Sequence, residues 1–233
     1  MIGTDVEIPR REGGSMPGYA ALPANARRGV VVIHEILGRQ PEIDRVVERF
    51  AAAGYAAVGP DLFHAGSRIG CIRRSLATIA SGEGPMADGI FDAQRWLCER
   101  TVLGPDQVGV IGFCLGGGLA LAVGRKFGAV SSNYGDLPPA EVLRQSPPII
   151  ACYGGRDRAF RRNADRLRER MSIMGAECEI HTFPTVGHSF LTDGKHSVVA
   201  ALTWPLMQIR YDASVAEDAW GKILAFFERT LAV

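Results

Sequence analysis

A strand that gives way to a helix within a few residues leaves a chain little choice of fold, and residues 107–127 read that way. Gln107 to Gly112 is a Val- and Gly-rich run of strand length, and Leu119 to Phe127 is spaced as a helix. Between them stand Gly112-Phe113-Cys114-Leu115-Gly116, with Gly117 and Gly118 behind. In so tight a turn neighbouring side chains would collide, so glycines flank one residue that is pushed out above the sheet. The pattern Gly-x-nucleophile-x-Gly, set between strand and helix, is that of a nucleophile elbow, with Cys114 as its nucleophile. The competing explanations are a buried structural thiol and a phosphate loop. The second fails, because no Gly-Lys-Ser/Thr follows and a dinucleotide fingerprint would need glycine where Cys114 stands.

The rest of the chain alternates apolar runs with stretches of helical period, which is the sign of an α/β domain: a mostly parallel central sheet with helices on both faces. At 233 residues one such domain accounts for the whole length. Gly29 to Ile33 is a strand buried on both faces. Pro41 opens a helix carrying Ile43, Val46, Val47 and Phe50 until Gly54, and Tyr55 to Gly59 is the next strand. Periodicity then fails from Asp61 to Pro85, which reads as a loop over the site. A helix is expected over Asp88 to Glu99, a strand over Pro148 to Tyr153, a helix around Asn163 to Met174 and a strand over Cys178 to Phe183. The final helix begins near Ser214, with Glu217 completing a capping box. The first twenty residues suggest an antiparallel hairpin at the sheet edge.

Composition narrows the function. Net charge is +1, with 47% hydrophobic and 22% charged residues, so the chain has no global field to attract nucleic acid or an anionic membrane, and a small molecule is the expected partner. The five cysteines are widely spaced and contain no Cys-x-x-Cys, which argues against a disulfide framework or zinc site. With no apolar run of membrane-spanning length and no signal-like leader, the expected compartment is cytoplasmic. The sequence leaves monomer and homodimer open.

An ordinary thiol is only a few per cent ionised at neutral pH, so Cys114 needs a base. Tyr153-Gly154-Gly155-Arg156-Asp157 leaves one strand, and Thr185-Val186-Gly187-His188-Ser189-Phe190 leaves the next. Nucleophile, acid and histidine in that order follow the α/β-hydrolase plan, with both loops at the carboxyl ends of strands. His188 would take the thiol proton and Asp157 would fix its tautomer. Singly, Asp157 could cap the following helix and His188 could be filler.

His34-Glu35-Ile36-Leu37-Gly38 follows the first central strand. It opens like a zinc-protease motif, but Gly38 stands where the second histidine belongs, so no metal is expected. On the α/β-hydrolase plan this loop and the residue after the nucleophile donate oxyanion N–H groups, here those of Ile36 and Leu115. Together, residues 31–38, Gly59-Pro60-Asp61-Leu62-Phe63, residues 111–117, Tyr153 to Asp157 and Gly187 to Phe190 resemble the signatures of the dienelactone hydrolase (carboxymethylenebutenolidase) family in family order, over nearly all of residues 20–230. The resemblance implies that Glu35 helps ionise the thiol, that Tyr134 lines the pocket with Phe190 as a further substrate contact, and that no cofactor is used. Family members that hydrolyse dienelactones hold the substrate carboxylate with arginines, one a few residues past the histidine. Here Phe190 is followed by Leu191-Thr192-Asp193, so that arginine is missing, which leaves Arg68, Arg73 or Arg74 as candidates for the other. The expectation is an ester or lactone hydrolase acting through an acyl-cysteine. The alternatives are a general carboxylesterase or thioesterase, or a non-hydrolytic redox-sensing or ligand-binding module.

Overall fold

The computed structural model describes residues 2–194 and 204–232. Its frame is an eight-stranded sheet in the order β1-β2-β4-β3-β5-β6-β7-β8. The strands are β1 (Thr4–Pro9), β2 (Ser15–Ala21), β3 (Gly29–Ile33), β4 (Ala56–Pro60), β5 (Val108–Phe113), β6 (Ala129–Asn133), β7 (Ile149–Gly154) and β8 (Cys178–Phe183). β1 and β2 form the expected antiparallel hairpin, and β2 lies antiparallel along β4. From β4 to β8 every pairing is parallel, so the loops leaving β3, β5, β6, β7 and β8 all emerge at one edge of the sheet.

Strand alternation decides which helix packs where. Val31 and Ile33 of β3 face α2 (Arg68–Ser81), α3 (Pro85–Thr101), α4 (Leu115–Val123) and α5 (Arg161–Met174). Val30 and Val32 face α1 (Pro41–Ala52) and α6 (Ala213–Thr230). A period of two in the strand thus feeds two separate apolar layers, and β3, β5, β6 and β7 are buried along their whole length. Pro41 opens α1, where its missing N–H costs nothing.

Four expectations need correction. The stretch read as a loop from Asp61 to Pro85 contains α2, capped by the Ser67 side chain accepting from the Gly70 N–H. Its inward face is Cys71, Ser75, Thr78 and Ile79, while Ile69 and Leu76 point outward, so apolar periodicity carries little signal there. β6 was not anticipated, because Ser131, Ser132 and Asn133 are polar yet fully buried in it. α4 starts directly after Cys114 rather than at Leu119, taking the glycine run into the helix. The last helix is capped by Asp212, whose carboxylate accepts from Val215 N, and not by Ser214.

Phe50 on α1 is the hub of the second layer, with its ring against Tyr55, Trp220 and Phe227 at centroid separations of 5.7, 5.8 and 5.8 Å. Phe50→Ala should cost about 3–5 kcal/mol of stability. Urea unfolding would register this as a lower midpoint, and an unchanged midpoint would contradict the packing described.

Candidate active site

Five residues follow five parallel strands at the same sheet edge: Glu35 after β3, Cys114 after β5, Tyr134 after β6, Asp157 beyond β7 and His188 beyond β8. Three non-glycine residues of this region have left-handed backbone: Cys114 at φ 55°, Tyr134 at 44° and Ser189 at 53°. Such conformations cost on the order of 1–3 kcal/mol each and persist where the surroundings fix them.

At the elbow the surroundings are explicit. Cys114 donates its N–H to Asn133 O at 3.0 Å and accepts at its carbonyl from Gly117 N at 3.0 Å. A Cβ at Gly112 would lie 1.9 Å from Gly116 O, and one at Gly116 would lie 2.5 Å from His34 O. Both positions therefore require glycine, and the second brings the start of α4 against the loop after β3. The Cys114 side chain is left half-buried, and Leu115 becomes the first residue of α4, where a helix has no partner of its own for the N–H. In the neighbouring loop Gly38 N–H donates to Glu35 O at 3.1 Å, which puts Ile36 and Leu37 at the corner of a turn.

Asp157 and His188 are buried together, at 0% and 1% exposure. One carboxylate oxygen of Asp157 accepts from the N–H groups of Ala159 and Phe160 at 3.1 and 3.2 Å. The other meets His188 Nδ1 at 2.6 Å. A carboxylate already committed to accepting implies that Nδ1 carries a proton, which directs Nε2 to the opposite side. Asp157 thus both caps the turn before α5 and orients the imidazole. The ring lies between Tyr134 and Phe160, at 4.8 and 5.1 Å. Nε2 is buried and makes no hydrogen bond of regular geometry. Burial alone would lower the His188 pKa. Negative charge on the nearby Cys114 sulfur, the Asp157 hydrogen bond and hydrogen bonding to Cys114 outweigh it and raise the value to about 10.

Glu35 is 4% exposed, and its Oε1 accepts from three hydroxyls: Thr192 at 3.0 Å, Ser189 at 3.2 Å and Tyr134 at 3.4 Å. Thr192 and Tyr134 also meet each other at 3.2 Å. Burial, then the charge of Glu35, pushes the Tyr134 phenol well above its ordinary pKa, so it acts here as a neutral hydroxyl. Phe190 is fully buried, with its ring against Tyr134 and Phe183. Arg74 donates to Ala65 O at 3.1 Å, Arg73 is exposed on α2, and Arg68 is exposed beside Leu37 and Gly38. His34 is buried under Phe63, with Nδ1 against Glu35 O, and burial lowers its pKa.

Sequence reading missed Ser189 and Thr192, although two hydroxyls in an apolar loop were a visible signal. It also missed the segment 204–212, which carries no motif. There, Met207 O accepts from His188 N at 2.8 Å, Leu206 O accepts from Arg158 N at 2.8 Å, and Arg210 N donates to His188 O at 3.3 Å. This strap ties the acid loop to the histidine loop and fits only because residue 187 is glycine, since a Cβ there would lie 2.3 Å from Gln208 O and 2.4 Å from Met207 O. Among the described residues no group of three His, Cys, Asp or Glu side chains could hold a metal, and no helix is long and apolar enough to cross a membrane.

Gly187→Ala should displace the strap, turn the imidazole, and lower turnover far more than substrate affinity, which separate kcat and KM values on an ester substrate would read out. A second expectation concerns pH. Because the folded-state pKa of His188 lies above 6.5, its charge stabilises the fold fully below that pH, and the contribution is lost as pH rises through about 10. The stability difference between the protein and His188→Gln should therefore shrink over that window. A constant difference in urea melts from pH 6 to 10 would contradict this.

The model of the dienelactone hydrolase family matches residues 16–231. A carboxymethylenebutenolidase of Rhodococcus opacus is 27% identical over 235 residues, covering 92% of this chain and 86% of the relative. The protein usf of Aquifex pyrophilus is 26% identical over 245 residues, covering 99% and 100%. Among solved structures, a dienelactone hydrolase-like promiscuous phosphotriesterase from metagenomic libraries superposes with TM-score 0.79 at 20% identity, covering all of both chains. An esterase structure from Rhizomucor miehei superposes with TM-score 0.69 at 12% identity, covering 98% of this chain and 83% of that one. These two share the α/β-hydrolase sheet described above. With the family match spanning all but the first strand, the chain belongs to the dienelactone hydrolase family, enzymes that hydrolyse carboxylic esters.

Proposed function

We propose that the chain hydrolyses a small ester or lactone through an acyl-cysteine intermediate, with Cys114 as nucleophile, His188 as its acid and base, and Asp157 as the group that orients His188. The observation that carries this reading is the half-buried sulfur of an elbow residue at φ 55° beside a buried imidazole that Asp157 holds at 2.6 Å. The thiolate attacks the carbonyl carbon, and the oxyanion is met by the N–H groups of Ile36 and Leu115. The His188 Nε2 proton passes to the leaving alkoxide, which frees the alcohol and leaves a thioester on Cys114. His188 then takes a proton from water, the hydroxide adds to the thioester carbonyl, and the carboxylic acid departs as the thiolate is restored. No cofactor or metal takes part in these steps. The family resemblance gives Glu35 a part in ionising the thiol, and its three hydroxyl donors keep its carboxylate in place.

A second reading concerns the substrate. Relatives that cleave dienelactones carry an arginine a few residues past the histidine, whereas here Leu191-Thr192-Asp193 follows Phe190 and the Thr192 hydroxyl donates to Glu35 at 3.0 Å. That contact supplies no positive charge for a substrate carboxylate, and it favours uncharged short-chain esters. Relative turnover of a dienelactone and an uncharged aryl ester decides between the two.

Cys114→Ala should lose about 10³-fold or more in kcat/KM on an activated aryl ester. Rapid acid quench of the unaltered protein should leave an acyl group on the peptide containing Cys114. Full activity in the variant, or an acyl group elsewhere, would sink the mechanism.

A further inference from the structure

Away from the elbow, a cavity of about 390 Å³ opens between the β1–β2 turn, the loop after β4, α2 and the start of α3. It falls within the range of roughly 300–1,000 Å³ typical of small-ligand sites. Its floor is apolar, formed by Met16, Leu62 and Met86, each 5% exposed or less. Its polar wall is basic. Arg10 and Arg74 both line it, and Glu12 is the one carboxylate that does, so two guanidiniums against one carboxylate leave a single positive charge. Neither guanidinium is fully used. The Arg10–Glu12 contact is long, at 3.5 Å, to a glutamate that is 64% exposed, and it engages only Arg10 Nη2. Arg74 uses Nη2 on Ala65 O at 3.1 Å and on the Cys71 sulfur. A carboxylate is the acceptor whose geometry suits the guanidinium fork.

From this we infer that the cavity is a second binding site, distinct from the elbow, for a monocarboxylate with a short apolar tail. The single net charge fits a monoanion better than a phosphate dianion, and Met16, Leu62 and Met86 give the tail a surface of its own. The reaction class of this family releases carboxylates, so ligands of this kind arise where the protein works. The far side of the same loop carries Phe63, which packs against His34 at 4.8 Å and against Gly38, so an occupant would touch the loop that backs the proposed oxyanion donors.

Hexanoate is a suitable probe, titrated into full-length Cys114→Ala so that nothing depends on turnover. Methionine-methyl NMR should show saturable shifts at Met16 and Met86 with Met171 unmoved, and calorimetry should show one site per chain. Hexanamide and acetate should each bind at least tenfold more weakly, and Arg10→Met and Arg74→Met should each weaken hexanoate at least tenfold. The inference is overturned if Met16 and Met86 stay still up to about 10 mM hexanoate, an affinity too weak to matter. It is equally overturned if hexanamide binds as well as hexanoate. The methyl shifts are read on a chain with both arginines intact, so they decide the matter even if an arginine variant fails to fold. Cys114→Ala carries the test whether or not Cys114 is the nucleophile, so a negative result here leaves the proposed mechanism standing.

Discussion

The structure is organised around one backbone that cannot relax. Cys114 holds φ 55° and ψ −117°, and every neighbour that could let it move is itself fixed. β5 is paired on both sides and buried along its length, the Cys114 N–H is tied to the end of β6, and α4 is pressed onto β5 with no room for a Cβ at Gly112 or Gly116. Strain of on the order of 1–3 kcal/mol survives only where the surroundings define it this tightly. The sulfur is therefore the fixed point of the site, and the other side chains are brought to it. The left-handed residues Tyr134 and Ser189 continue the same logic, since each turns a strand exit or loop so that its side chain reaches the Glu35 carboxylate.

Two buried carboxylates, from opposite sides of the elbow, are joined by one loop. His188 engages Asp157, while Ser189 and Thr192, one and four residues further on, engage Glu35. Burying a carboxylate is tolerable only when its oxygens are answered, and here hydrogen-bond donors answer both. Residues 188–192 therefore cannot shift without breaking a contact at one carboxylate or the other. The strap at 204–212 adds a third restraint by holding the backbone N–H and carbonyl of His188. Orientation of the imidazole is thus over-determined, as the proton transfers proposed for His188 require.

How much of this could be read from residues alone follows from the range of the forces involved. The elbow was legible because its steric demand is local: five consecutive residues either permit that turn or do not. The parallel core was legible because strands buried on both faces are continuous apolar runs, as in Gly29 to Ile33 and Ile149 to Tyr153. β6 was hidden because the donors of its buried Ser132 and Asn133 reach partners distant in sequence, Gly117 O for the Ser132 hydroxyl and Gly112 O for the Asn133 amide. α2 was hidden because half of its inward face is Ser75 and Thr78, so its burial leaves no apolar period. The strap was illegible because its role is carried by main-chain carbonyls and by an absent side chain at Gly187. Residue types record neither.

That division also separates the chemistry from the choice of substrate. The proposed nucleophile, base and orienting acid each sit in a short motif, because each needs a particular atom at a particular strand exit. Selectivity depends instead on what surrounds the acyl group, and here a single position changes its character. An arginine at 192 would have set a positive charge beside Glu35, whereas the threonine answers that carboxylate with a neutral hydroxyl. On the proposed mechanism, a change at this position alters which acyl group is accepted without touching Cys114, His188 or Asp157.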